Sequence, residues 1–142
     1  MKIRLRGTAS LILSLALIAS AAFAHHGTNT EYDSDHPITV VGTVTEFEFS
    51  NPHVQVYFDA KDAKGNVVHW GVESASPGRL VRIGWNRNSV KAGDRVTITL
   101  DPARSGAPVG ALEKIVFADG RVLASKEDVL ERGGSATAQG KK

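Results

Sequence analysis

The 142-residue sequence contains no cysteine. That excludes a disulfide framework, a Cys-ligated zinc site, an iron–sulfur centre, a thiol nucleophile and a lipid-modified N-terminal cysteine. Enzyme signatures are missing as well. The chain has no Gly-x-Ser-x-Gly elbow, no His-Glu-x-x-His helix, no phosphate loop and no dinucleotide fingerprint, so the expectation is a protein that is not an enzyme. Neither sign of charge dominates, with 17 Lys and Arg against 15 Asp and Glu. No internal repeat is visible, and the length suits one compact domain.

What is present begins with a leader. Lys2, Arg4 and Arg6 form a positive start, Ala9 to Phe23 is an almost unbroken small and apolar run, and Ala22-Phe23-Ala24 has the small–x–small form that a signal peptidase cuts. Fifteen helical residues cover ~22 Å, short of the ~30 Å hydrocarbon core, so the run is read as a cleaved signal peptide, residues 1–24, and not as a membrane anchor. The expected location is the periplasm, with membrane contact only during export. Cleavage removes three basic residues and no acidic ones, leaving 14 against 15. A domain of that balance has no electrostatic footprint for nucleic acid.

The mature chain divides by pattern. Residues 25–37 (HHGTNTEYDSDHP) are polar and turn-rich and read as an extended arm. Ile38 to Phe49 is a long β-branched and aromatic run with a bend or bulge expected at Gly42. After Ser50-Asn51-Pro52, His53 to Ala60 alternates, with Val54, Val56 and Phe58 on one face and His53, Gln55, Tyr57 and Asp59 on the other. Val67 to Glu73 alternates again across a turn at residues 62–66, placing Val68, Trp70 and Val72 on the apolar side. Ser76 then stands as an N-cap before Pro77, and a short helix runs to a stop at Gly84. Two more strands follow, Arg95 to Leu100 and about Val109 to Ala118, the second turning at Asp119-Gly120 and continuing through Arg121 to Ala124. Ser125 and Asp128 open a brief helix over 125–132, and 133–142 reads as a disordered tail.

Three strands, a helix and two strands give an all-β fold: a small five-stranded OB-like Greek-key barrel over residues 38–124, with one short helix between strands three and four. A β-sandwich is the alternative. In this reading Trp70 is core, Trp85 closes one barrel end with Leu80 and Ile83, and Arg79, Arg82 and Arg87 form the helix's wet side or bind an anion.

His25-His26-Gly27, Asn51-Pro52-His53, the run from Ser76 to Trp85 and Gly93-Asp94 together resemble a family of small exported bacterial proteins known only as a domain of unknown function. The resemblance spans nearly all of the mature chain. It implies a periplasmic location and an OB-like barrel, and it implies no activity. The family pattern has an aromatic residue after His-His-Gly; here Thr28 stands there, which implies a looser arm.

Chemistry concentrates at the expected mature N-terminus. Cleavage after Ala24 leaves His25 first and His26 second. A free α-amine (pKa ~7.7–8.0) beside an imidazole (pKa ~6.5) chelates borderline metals near neutral pH. Nitrogen ligands of this kind favour copper over nickel and zinc. His25 supplies half of a histidine brace, with His26 completing a chelate through the intervening amide or His53 serving as a ligand from the barrel; His36 is the second choice. A hairpin register that puts Phe58 opposite Val68 and Val56 opposite Trp70 would set His53 across from Glu73 and stack His69 on Tyr57. The other candidate is a metal-free surface formed by Gln55, Tyr57, His69 and Glu73 on the outward face of strands two and three, suited to a glycan, a small polar ligand or a periplasmic protein. One tyrosine and one histidine without flanking positive charge are too thin a platform for single-stranded nucleic acid. Glu46 and Glu48 share an outward face and need no catalytic explanation. The favoured reading is a secreted, non-enzymatic binding protein with copper as its ligand.

Overall fold

The computed structural model describes residues 31–126. The elements are β1 (Ile38–Glu48), β2 (Gln55–Lys61), β3 (Val67–Glu73), α1 (Pro77–Arg82), β4 (Arg95–Pro102), β5 (Val109–Phe117) and β6 (Val122–Ala124). The ladder runs β3-β2-β1-β4-β5-β6, and β3 also pairs with β5 in parallel over Gly71–Val109, Val72–Gly110 and Glu73–Ala111. That last pairing joins the two ends of the sheet, so β1 to β5 close a barrel. A sandwich would leave two separate sheets; here there is one continuous ladder. The fold is an all-β barrel with one short helix between β3 and β4.

Strand alternation explains the interior. Val44, Val56, Phe58, Val72, Ile98, Leu100, Leu112 and Ile115 all point inward and are buried. Each such side chain contributes about 1.5–3 kcal/mol relative to exposure. Phe58 stacks on the half-buried Trp70 at 6.1 Å between centroids and 13° between planes. Gly42 faces inward where β1 curves past β2. A Cβ there would lie 2.6 Å from the Asp59 carbonyl oxygen and from the Phe58 ring, so only glycine permits the approach.

Helix α1 plugs one end. Its stop is a Schellman motif: Trp85 N–H donates to the Leu80 carbonyl (3.0 Å) and Gly84 N–H to the Val81 carbonyl (3.2 Å), with Gly84 at φ +94°. Leu80 and Trp85 are thereby driven into the core. The Trp85 indole N–H donates to the Ala124 carbonyl at 2.8 Å, tying the helix end to β6.

Several local expectations change. The β2–β3 register pairs Phe58 with Trp70 and Val56 with Val72, two residues away from the register inferred above. The cause is the turn. The Asp62 carboxylate accepts from the backbone amides of Lys64 and Asn66, both at 2.8 Å, and centres the loop one residue later. A slip of two keeps the same residues inward, which is why the barrel survives the change. The β1 bulge falls between Val44 and Glu46, not at Gly42, which pairs normally with Ala60 and Val96. The chain past Gly120 is a separate sixth strand in a hairpin with β5. Ser76 occupies the N-cap position, but its hydroxyl makes no capping bond. The helix expected over 125–132 and the tail lie almost wholly outside the described residues.

Candidate functional site

The barrel end formed by the close of β3, the entry to β2 and the exit of β4 carries the chemistry. Residues Glu31 to Asp33 lie along the β4 exit as a short added ladder. Asp33 N–H donates to the Pro102 carbonyl (2.8 Å), Arg104 N–H donates to the Glu31 carbonyl (2.9 Å), and Tyr32 bridges Ala103. Arg104 and Asp33 add an ion pair at 3.2 Å. The arm is therefore docked from Glu31 onward, and the buried Tyr32 is its anchor.

Tyr32 meets Glu73 here. Burial, reinforced by the Glu73 and Glu31 carboxylates, pushes the Tyr32 phenol up to about 12. On its other side Glu73 accepts a hydrogen bond from His53 Nδ1 at 3.2 Å, with the His53 side chain 45% exposed. A neutral imidazole that donates through Nδ1 carries its free lone pair on Nε2. A carboxylate that fixes the tautomer in this way is the usual second partner of a metal-binding histidine. The site thus holds one oriented imidazole, one carboxylate and one buried phenol. Among the described residues no group of three or more His, Asp or Glu side chains is placed to hold a metal ion.

The other predicted residues fall as follows. His53 contacts Glu73 as foreseen, although the formal partner of Glu73 is Gln55. His69 does not stack on Tyr57. It pairs with Asp59, Nδ1 to Oδ1 at 2.6 Å, because the register places those two residues opposite each other. Tyr57 instead lies against Gly71, where the missing side chain leaves room for its ring. Gln55, Tyr57, His69 and Glu73 do share the outward face of β2 and β3, but only Gln55 and Glu73 are cross-strand partners, while Tyr57 pairs with Gly71 and His69 with Asp59. His36 is bound to Asp33 (3.1 Å), and that bond, with help from Arg104, holds the Asp33 carboxyl below its usual range. Arg79 and Arg82 are exposed and make no ion pair with another described residue. His25 and His26 lie outside the described residues.

Residues 12–112 match DUF6152, a family of unknown function, over well more than half of the chain. The chain belongs to DUF6152. The match covers His25, His26, His53, Glu73 and the Ser76–Trp85 run, and it ends within β5. No curated protein matches the sequence.

Tyr32 escaped the sequence reading because it sits among polar residues with no periodicity to mark it. It is the only aromatic side chain in the arm, and that was the available signal. An aromatic anchor is present in this DUF6152 chain after all, four residues beyond Thr28.

Proposed function

We propose that the protein is a secreted, periplasmic, non-enzymatic binding domain that holds a copper-type ion between its mature N-terminus and the barrel. The α-amine and imidazole of His25 form the primary chelate, His26 assists it, and His53 Nε2 is the ligand from the folded body. The observation that carries this reading is the juxtaposition at the barrel end. Tyr32, which anchors the arm, stands beside Glu73, and Glu73 orients His53.

Six residues separate His25 from Tyr32, seven steps along the chain. Fully extended, those seven Cα–Cα steps span at most ~24 Å, which bounds how far a cleaved N-terminus stands from the Tyr32 anchor. Tethering at such range raises the effective concentration of one ligand at the other to about the millimolar scale. The leader pattern of Lys2, Arg4, Arg6 and the Ala9–Phe23 run supports export, and Ala22-Phe23-Ala24 supports a cut that exposes His25. Nitrogen-rich ligands select Cu(II) ahead of Ni(II) and Zn(II).

A competition titration of exported, tag-free protein with Cu(II) tests the proposal. Sub-micromolar affinity that is lost when one alanine precedes His25, and reduced about tenfold or more by Glu73→Gln, supports it. Weak affinity indifferent to the extra residue leaves only a metal-free module using the Gln55, Tyr57, His69 and Glu73 face.

A further inference from the structure

On the outward wall of the barrel, away from His53, an apolar row crosses four strands. Val41 on β1, 57% exposed, stands opposite Thr97 on β4, Thr97 opposite Val116 on β5, and Val116 opposite the exposed Val122 on β6. The adjacent row is polar: Thr43 lies between Arg95 and Asp59. Two shallow hollows follow these rows. One, of about 300 Å³, is lined by Val41, Thr43, Asp59, Lys61, Val67 and Arg95. The other, of about 180 Å³, adjoins it through Val41 and Arg95 and reaches Val116 and Phe117.

The charges are uneven. Lys61 and Arg95 form no ion pair with any described residue, while Asp59, the one carboxylate at the groove, is engaged by His69 at 2.6 Å. The groove therefore presents two uncompensated cations, Lys61 at its β2 end and Arg95 beside the middle of the apolar strip. Between β1 and β6 the strip crosses three strand spacings, ~14 Å.

We infer that this groove binds an anionic amphiphile, a carboxylate with a short acyl chain. The head lies between Lys61 and Arg95, and the chain runs over Val41 toward Val116 and Phe117. Charge complementarity selects this occupant. A carboxylate satisfies both cations, and the acyl chain covers valines that water now contacts. A second copy of the chain fits worse, because a two-fold contact would bring four such cations into one interface against two Asp59 carboxylates already engaged by His69. The inference is independent of the copper reading, since it uses neither His25 nor His53.

Titration of the ¹⁵N-labelled exported protein with sodium octanoate, followed by amide shifts, tests it. Octyl glucoside serves as the uncharged control and acetate as the chain-free one. The expected result is saturable shifts at Val41, Thr43, Lys61, Val67, Arg95 and Val116 with octanoate alone. Binding weakens about tenfold or more in the Lys61→Gln, Arg95→Gln double variant, whose remaining spectrum is unchanged. Val41→Ser, which keeps both cations, also weakens it. The inference is overturned if octanoate gives no saturable shift, if octyl glucoside binds as well, or if the double variant binds equally. It is overturned too if the same amides shift with protein concentration alone as tumbling slows, which would assign the face to a second copy.

Discussion

At the scale of single residues, Tyr32 and Glu73 decide how the candidate site is held. The folded phenol keeps its proton to about pH 12, whereas an unfolded tyrosine releases it near 10. The folded state thus binds the proton more tightly, and the stability contributed by the docked arm is complete below pH 10 and lost as pH rises toward 12. Ultraviolet titration should show one phenol ionising near pH 12, and Tyr32→Phe should remove that step. Tyr32→Ala should cost about 1–3 kcal/mol in denaturant unfolding. Asp101 works in the same sense, but in the acid range. Burial first, then Glu113 and Asp33, raise its carboxyl above the ordinary value against the pull of Lys126, and its Oδ1 is buried without a partner. The charged form is therefore a liability at neutral pH, and stability on its account falls as pH rises through the raised value. Asp101→Asn should raise the melting temperature at pH 7, with the gain vanishing once acid protonates the wild-type carboxyl. The sequence set His53 beside Glu73 through a register the fold shifts by two; the contact persists because both side chains face outward at the same barrel end, now on a diagonal. Tyr32 and Asp101 were not legible in sequence, since their burial comes from distant parts of the chain.

At the scale of elements, alternation and punctuation located the strands and the helix almost to the residue. Val67–Glu73 and the Ser76–Gly84 helix signals illustrate this. Register was harder, because it depends on how a turn is closed. Both hairpin registers point Val56, Phe58, Trp70 and Val72 to the same face, so hydrophobic pattern alone does not choose between them. The Asp62 carboxylate makes the choice, and it thereby pairs His69 with Asp59. Gly42 was visible as an anomaly in a strand, but its purpose, a close pass over Asp59 and Phe58, required the fold. Gly42→Ala should destabilise the barrel by about 1–3 kcal/mol, read as a lower denaturant midpoint at unchanged slope. Trp85→Phe removes the indole bond to the Ala124 carbonyl and should cost about 1–3 kcal/mol, with hydrogen exchange accelerating first in β6.

For the whole molecule, closure of the barrel by the short parallel β3–β5 pairing brings the end of β3 beside the β4 exit, where the arm is docked. Element order pointed to that closure. It could not show that the arm is fastened at Tyr32, beside the Glu73 that orients His53. The outward groove was likewise invisible in sequence, because Val41, Thr97 and Val116 become neighbours only through cross-strand pairing. The copper account is tested most directly by frozen-solution EPR of the exported protein loaded with one equivalent of Cu(II). The account predicts one defined site whose nitrogen couplings include the His25 amine and imidazole, with one imidazole coupling lost in His53→Ala. A spectrum that His53→Ala leaves unchanged, or copper distributed over no defined site, would contradict it.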